Sequence, residues 1–213
     1  MGLVQSTQPV AKHIYLNELD QHLYGPLEAI IQHPFPLQFE RFGCGSGIDV
    51  ILHEGPCDLY IAECPSRSKK GDFFEAELSF FRGGIIESGW LFDSPAHFFL
   101  FYCPVYSAEE ETPAWLHVLL IAKARLLQNL SMRGFDRAEL ATRDELLRKN
   151  GRPGIYQSGD PDISFRFVKT DRMQSVFLKM RTDALASFAA ANLMVPIGET
   201  KEQLTGCWLG RMI

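Results

Sequence analysis

The sequence has few of the features that mark disulfide-rich, zinc-binding or membrane proteins. Its five cysteines are odd in number and form no C-x-x-C pair, which argues against a disulfide framework and a zinc ribbon. No apolar run approaches the roughly 20 residues that a membrane-spanning helix needs. The N-terminal residues lack the basic, apolar and small-residue order of a signal peptide. We therefore expect a cytoplasmic protein that does not enter a membrane.

The common catalytic motifs are also missing. The chain contains no P-loop G-x-x-x-x-G-K-S/T, no H-E-x-x-H and no G-x-S-x-G. None of the six histidines forms a helical i, i+4 pair, so the sequence does not support a histidine-based metal site. Gly43, Gly45 and Gly47 do not have the spacing of a dinucleotide-binding loop, and they precede a strand pattern instead of opening a helix. We therefore predict no nucleotide cofactor.

Composition predicts one packed domain of mixed α and β structure. Hydrophobic residues make up 46% of the 213-residue chain and charged residues 22%, which permits a core and excludes general disorder. Strand patterns followed by helices, then by further strands and a helix, are typical of an α+β or mixed α/β domain. We expect a central mixed sheet flanked by helices. The single domain divides into a helical lead-in at 1–39, a core at 40–130 and an extension at 131–213.

Local sequence patterns predict the positions of the helices and strands. Asn17, Thr112 and Asp136 have side chains that suit the first position of a helix. The predicted helices span 17–32, 112–130, 136–150 and 183–193. Short β-branched, aromatic or alternating segments predict strands at 48–53, 58–63, 73–80, 97–102, 164–169 and 175–179.

Carboxylates within the strand patterns are the strongest candidates for a functional site. Asp49 lies inside an otherwise apolar strand, Glu63 ends the next strand, and Glu75 and Glu77 share one face of the third. A carboxylate on an apolar sheet is costly unless it is exposed, paired or bound to a metal. Several carboxylates at adjacent strand ends would bind a hard cation such as Mg²⁺. The alternative is that Glu75 and Glu77 face solvent on a one-sided sheet.

The same residues carry a resemblance to a known family. The segment Arg41–Asp49 looks like the lead into a first acidic strand, Asp58–Cys64 looks like a second, and Phe74–Ser79 like a third. In this respect residues 40–104 resemble the PD-(D/E)XK nuclease superfamily, and the third acidic strand is similar to that of phage and mobile-element members. The resemblance implies a restriction-endonuclease-like core.

The resemblance also implies a chemistry. It assigns Mg²⁺ or Mn²⁺ as the cofactor for phosphodiester hydrolysis and Asp49, Glu63 and Glu77 as the metal ligands and catalytic carboxylates. The family's acidic-x-Lys triplet falls on Ala62-Glu63-Cys64, where alanine cannot bind a metal and cysteine cannot replace the lysine charge. Two interpretations stay open. Either the site has migrated and Lys70, or its neighbour Lys69, enters from the next loop, or the domain has lost catalysis and keeps the fold for binding.

The net charge of −5 hides an uneven distribution. Residues 1–106 carry 6 basic and 13 acidic residues, whereas residues 123–181 carry 13 basic and 7 acidic ones, a net of +6. A basic cluster on one face would bind nucleic-acid phosphates with strong salt dependence. The alternative is a solvated helical surface with i, i+4 ion pairs. The candidate nucleic-acid contacts are Arg125, Arg133, Arg137, Arg148, Lys149 and Arg152.

These observations leave two hypotheses about function. The first is a nuclease-fold protein that acts on or binds nucleic acid, with DNA as a possible partner, and that hydrolyses phosphodiester bonds with Mg²⁺ or Mn²⁺ if it is active. The second is a catalytically inactive, nuclease-like binding protein, such as a phage or plasmid accessory factor or inhibitor that engages a host protein. Its acidic N-terminal half could present a phosphate-like surface to a nucleic-acid enzyme. A small-molecule enzyme has no motif behind it, and a homodimer is compatible with the sequence.

Overall fold

Strands form most of the structure and fall into two sheets. The computed structural model describes residues 37–41, 48–54, 57–66, 72–106, 114–171 and 173–196. The strands of this part of the chain are β1 (Leu37–Arg41), β2 (Val50–Glu54), β3 (Cys57–Pro65), β4 (Phe73–Arg82), β5 (Ile85–Ser88), β6 (Phe98–Val105), β7 (Trp115–Ala122), β8 (Gly154–Gln157), β9 (Ile163–Lys169), β10 (Met173–Arg181) and β11 (Ala191–Pro196). Its helices are α1 (Trp90–Asp93), α2 (Lys123–Met132), α3 (Arg137–Asn150) and α4 (Thr182–Ala186).

The first sheet is mixed and the second is antiparallel. The mixed sheet has the order β1-β2-β3-β6-β7-β11, and its one parallel pair joins β3 to β6. A parallel pair needs a long connection, and here that connection contains β4, β5 and α1. The antiparallel sheet has the order β5-β4-β10-β9-β8. The chain therefore leaves the mixed sheet after β3, starts the second sheet and returns.

One hydrophobic core joins both sheets and the helices. Alternate residues of a strand point to opposite faces, and Phe74, Ala76 and Leu78 of β4 share a buried cluster with Phe99 and Phe101 of β6. The Phe74 and Phe101 rings lie 5.0 Å apart, so the two sheets touch directly. The helices α2 and α3 add buried leucines to the same cluster. The two sheets and the helices thus pack around a shared interior.

The mixed sheet is apolar on its other face as well. Leu100 and Tyr102 of β6 alternate with the core phenylalanines and belong to a second buried cluster with Val50, Ile61 and Val118. A strand buried on both faces has an uninterrupted apolar sequence. This explains the run Phe-Phe-Leu-Phe-Tyr-Cys at the start of β6.

The predicted α+β class and most predicted elements are confirmed. The six predicted strands correspond to β2, β3, β4, β6, β9 and β10, and the structure adds a second sheet to the mixed one. The backbone N–H of Glu139 donates to Asp136 Oδ1 over 2.8 Å, so Asp136 caps α3 as predicted. The predicted helix at 17–32 lies outside the described residues. No helix in the described ranges is long and apolar enough to cross a membrane.

Two predicted helices are wrong over part of their length. The segment 112–130 contains β7 before α2, and the segment 183–193 contains the end of α4 and then the first residues of β11. The β7 sequence Trp-Leu-His-Val-Leu-Leu-Ile-Ala is apolar on both faces because it lies between β6 and β11. Periodicity alone cannot distinguish such a run from a buried helix.

Candidate functional site

Two of the predicted acidic residues lie side by side in the mixed sheet. Asp49 directly precedes β2 and Glu63 lies in β3, and the backbone N–H of Glu63 donates to Asp49 Oδ2 over 2.8 Å. The backbone N–H of Asp49 in turn donates to the carbonyl oxygen of Ile61 over 2.9 Å. The β2–β3 pairing therefore continues through Asp49 and fixes its carboxylate against the backbone of Glu63.

The Glu63 side chain is fully buried and forms an ion pair with Arg41. Its carboxylate has 0% exposure, and Oε2 lies 3.0 Å from Arg41 Nη1. Arg41, Val50 and Ile61 are in register across β1, β2 and β3, so Arg41 reaches over Val50 to contact Glu63 on the same face. An unpaired buried carboxylate would be strongly destabilising. The guanidinium of Arg41 compensates this cost.

Tyr102 lies on the same face of the sheet as this ion pair. It is buried in β6, and burial is the main cause that raises the pKa of its phenol far above the ordinary value. The Glu63 and Asp49 carboxylates raise this pKa further, while Arg41 lowers it. The phenol therefore stays neutral at physiological pH. We call Arg41, Asp49, Glu63 and Tyr102 the acidic cluster of the mixed sheet.

Glu77 does not join this cluster. It lies in β4 of the antiparallel sheet, where its neighbours Ala76 and Leu78 point into the shared core. Alternation directs Glu77 to the opposite face of that sheet. The predicted convergence of Asp49, Glu63 and Glu77 is therefore not found, because the chain crosses between sheets after β3.

The acidic cluster does not supply a complete metal site. Within the described residues, no three side chains of His, Cys, Asp or Glu lie close enough to hold an ion. Mg²⁺ prefers octahedral oxygen ligation, and Glu63 is already paired with Arg41. Lys70, the predicted catalytic lysine, lies outside the described ranges. The predicted Mg²⁺ or Mn²⁺ site stays a prediction.

Glu75 takes part in an ion-pair network instead of simply facing solvent. Its two carboxylate oxygens accept hydrogen bonds from Arg166 Nε and Nη2 over 2.9 and 2.5 Å, and Lys179 Nζ lies 3.9 Å away. The Arg166 guanidinium lies over the Phe177 ring at 4.4 Å, and the Lys179 ammonium over the Phe73 ring at 4.7 Å. These contacts join β4, β9 and β10 on the outer face of the antiparallel sheet.

Several of the predicted nucleic-acid contacts are engaged with nearby carboxylates. Arg133 Nη1 lies 3.1 Å from Asp160 Oδ2 and 3.0 Å from Asp162 Oδ2. In α3, Arg148 Nε lies 3.1 Å from an Asp144 oxygen, and Lys149 Nζ lies 2.6 Å from a Glu145 oxygen. Arg148 is only 8% exposed and also donates through Nη2 to the Ser79 hydroxyl. Arg148 therefore connects α3 to the antiparallel sheet.

The other three predicted contacts are exposed. Arg125 and Arg152 are exposed near the two ends of the α2–α3 segment. The Arg137 side chain is 74% exposed, lies over the Phe92 ring at 5.1 Å and has one nitrogen 4.0 Å from Asp93 Oδ1. The i, i+4 ion pairs of α3 thus agree with the predicted alternative of a solvated helical surface.

The sequence did not single out a second charged site at the start of the mixed sheet. His53 in β2 contacts Asp58 Oδ1 through Nδ1 at 2.7 Å and Glu40 Oε2 through Nε2 at 3.2 Å. The Asp58 hydrogen bond is the largest cause that raises the His53 pKa, followed by the Glu40 hydrogen bond. His53 and Asp58 are cross-strand partners in the β2–β3 pair. Only the hairpin register could have revealed this contact.

Lys123, which belongs to the basic stretch 123–181, has a structural contact that the sequence does not predict. Its ammonium donates to the carbonyl oxygens of Phe92 and Ser94 over 2.7 and 2.6 Å. Burial is the main cause that lowers the Lys123 pKa, while the nearby Asp93 raises it. Lys123 therefore binds the C-terminal end of α1 to the start of α2.

Comparison of the chain with protein-family models, curated proteins and solved structures finds no match in any of the three.

Proposed function

We propose that the chain is a non-catalytic, nuclease-like binding protein that engages another protein. The observation that carries this proposal is the ion pair between Arg41 and Glu63, whose carboxylate is fully buried. The Arg41 guanidinium already neutralises this carboxylate. A metal ion that recruited Glu63 would have to displace Arg41 from it. The acidic cluster is therefore better suited to stabilising the β1–β2–β3 edge than to catalysis.

The distribution of exposed charge supports a protein partner. Three of the four basic residues of α3, Arg143, Arg148 and Lys149, are paired with carboxylates on the same helix, which leaves less positive potential for a phosphate backbone. The first half of the described chain instead exposes acidic side chains, which favour a partner with a basic surface. These are Glu40, Asp58, Asp72, Glu87 and Asp93.

The test is a binding experiment in which the predicted metal ligands are removed. The tagged chain and its Asp49→Asn/Glu77→Gln variant are used to isolate host proteins at low and high salt. We expect both forms to retain the same partner, and the complex to weaken as salt rises. Loss of the partner in the double variant, with a folded protein by circular dichroism, would contradict the proposal.

A metal-dependent nuclease is the second candidate, because Asp49 and Glu63 are neighbours on adjacent strands. It is tested by incubating the chain with single-stranded, duplex and branched DNA in Mg²⁺ or Mn²⁺. Cleavage that Asp49→Ala abolishes and Asp58→Ala preserves would support the nuclease and overturn the binding protein. Asp58 is the control because it is an exposed carboxylate of β3, the strand that contains Glu63. Calorimetric titration with MnCl₂ should show no binding if the non-catalytic proposal is right.

A further inference from the structure

The strand β5 forms an exposed edge of the antiparallel sheet. It pairs with β4 on one side, and no strand of the described chain pairs with its other side. All four of its residues are exposed, and Ile85 and Ile86 expose 63% and 60% of their surface. Adjacent apolar residues on an exposed edge are suited to pairing with another strand.

The backbone of β5 directs some of its N–H and C=O groups away from β4, where a further strand could bond to them. The N–H of Gly89 donates to the carbonyl oxygen of Leu78 in β4 over 2.7 Å, so Gly89 faces β4. Peptide groups alternate in direction along an antiparallel strand. Glu87 and Ile85 therefore bond to β4, and Ile86 and Ser88 direct their N–H and C=O groups outward.

The opposite edge of the same sheet differs from β5 in its flanking proline and in its number of exposed isoleucines. Natural edge strands carry charged residues and proline, which discourage pairing with other chains. Arg152 and Pro153 directly precede the edge strand β8, and its exposed large hydrophobic side chain is Ile155. The segment 83–88 reads Gly-Gly-Ile-Ile-Glu-Ser, has no proline, carries Glu87 as its charged residue and exposes two adjacent isoleucines. We therefore expect β5 to be the pairing edge.

We propose that β5 pairs antiparallel with β5 of a second copy of this chain, about a twofold axis at Ile86. Twofold symmetry places a surface against an identical surface, so the partner must be self-complementary. In this register Ile86 lies opposite its counterpart, and both residues can exchange backbone hydrogen bonds. Glu87 then lies opposite Ile85 of the second copy.

The charge of β5 selects this register over the neighbouring one. A twofold axis at Glu87 would place two carboxylates directly opposite each other, which destabilises a strand pair. The axis at Ile86 separates the carboxylates and brings two isoleucines into contact. The pairing buries far less than the roughly 800 Å² per partner of a stable interface. We therefore expect a weak monomer–dimer equilibrium.

The test is sedimentation equilibrium of the full chain from micromolar to near-millimolar concentration. We expect the wild type to show a reversible monomer–dimer equilibrium. Ile86→Lys should raise the dissociation constant at least about tenfold, because two ammonium groups then meet at the axis. Ile155→Lys introduces the same change at the other edge of the sheet and should leave the dissociation constant unchanged.

Three results would overturn the proposal. They are a wild type that stays monomeric throughout, an Ile86→Lys variant that dimerises like the wild type, and an Ile155→Lys variant that weakens the dimer equally. Hydrogen exchange on the wild type provides a test that needs no variant. The Ile86 and Ser88 amides should become more protected as the concentration rises, and constant exchange at these amides while a dimer forms would also overturn the proposal.

Discussion

Arg41 Nη1 lies 3.0 Å from Glu63 Oε2, although a whole strand separates β1 from β3. The guanidinium passes over Val50 of β2 to reach a carboxylate that has no exposed surface. One ion pair thus connects the first three strands of the mixed sheet. It also places a positive charge against Glu63, one of the three carboxylates that the sequence suggests as metal ligands.

Removing one member of this pair should destabilise the protein more than removing both. Arg41→Met leaves the Glu63 carboxylate buried without its partner, and we expect a loss of about 3 kcal/mol in the free energy of unfolding. Replacing both residues with Arg41→Met and Glu63→Leu removes the buried charge entirely, and such replacements are often close to neutral. Urea unfolding of the wild type, the single variants and the double variant measures the difference. A double variant whose loss equals the sum of the single losses would show that the pair is not coupled.

The acidic cluster shows which contacts could be predicted from the sequence. Asp49 and Glu63 lie on strands that follow one another, so their proximity follows from one local hairpin. The Arg41 contact depends on the register of three strands, and no local pattern specifies that register. Glu77 lies apart because β4 pairs with β10, about 100 residues later in the chain. Such non-local pairing leaves no signal within the β4 sequence itself.

The fold shows the same division between local and non-local signals. The Asp136 cap and the alternation of β4 predicted their elements correctly because both signals lie within the element. The sequence predicts helices over β7 and over the first residues of β11, because the β7 run is apolar on both faces and the chain before β11 is rich in alanine. Their strand conformation comes from pairing with each other and, for β7, with β6. Tertiary context therefore overrides local preference at these strands.

Two adjacent residues of α3 should differ sharply in their effect on stability. Arg148 is nearly buried and bonds to Asp144 and Ser79, whereas Lys149 is 68% exposed and pairs only with Glu145. We expect Arg148→Met to lower the free energy of unfolding by about 2–3 kcal/mol, because the nearly buried Asp144 carboxylate then keeps its hydrogen bond from Ser79 but loses its positively charged partner. Lys149→Met should change stability by less than about 0.5 kcal/mol, as for an exposed helical pair.

Urea unfolding of the two α3 variants checks this prediction. Both variants remove one positive charge from the segment with a net charge of +6, so the comparison separates packing from total charge. Equal losses in the free energy of unfolding for the two variants would contradict the prediction that Arg148 stabilises the contact between α3 and the antiparallel sheet. A parallel measurement of nucleic-acid binding would show whether either residue contacts phosphate.

Gly89 should tolerate no side chain, because the backbone of β4 approaches it closely. A Cβ atom at this position would lie 2.1 Å from the carbonyl oxygen of Glu77 and 2.7 Å from the carbonyl carbon of Leu78. Both atoms belong to the backbone and cannot rotate away. We expect Gly89→Ala to lose about 2 kcal/mol or more in the free energy of unfolding through overpacking.

Gly154 provides the matched control for this substitution. A Cβ atom there meets only the carbonyl oxygen of Arg152, at the comfortable distance of 3.9 Å. Gly154→Ala should therefore be neutral or slightly stabilising, because alanine restricts the unfolded chain. Thermal unfolding followed by circular dichroism compares the two variants. If Gly89→Ala unfolds at the same temperature as the wild type, β4 and α1 can move apart at little cost in free energy.

The His53 contacts should make stability depend on pH in a defined direction. Asp58 and Glu40 raise the pKa of folded His53 above its value of about 6.5 in the unfolded chain. A raised pKa means that the folded state binds the proton more tightly. The stabilisation is therefore complete below the unfolded pKa and is lost as pH rises through the folded pKa. The stability difference between wild type and His53→Gln should accordingly shrink as the solution becomes more alkaline.

The two carboxylates should contribute unequally to the His53 pKa. The Asp58 hydrogen bond is the larger cause of the shift, and its 2.7 Å distance is shorter than the 3.2 Å distance to Glu40. Asp58→Asn should therefore lower the His53 pKa more than Glu40→Gln does, as measured by NMR titration of the imidazole ring. The reverse order would mean that Glu40 dominates the charge environment of the ring. A His53 pKa that neither variant changes would mean that the imidazole does not interact with either carboxylate in solution, and the stability difference should then not follow the predicted pH dependence.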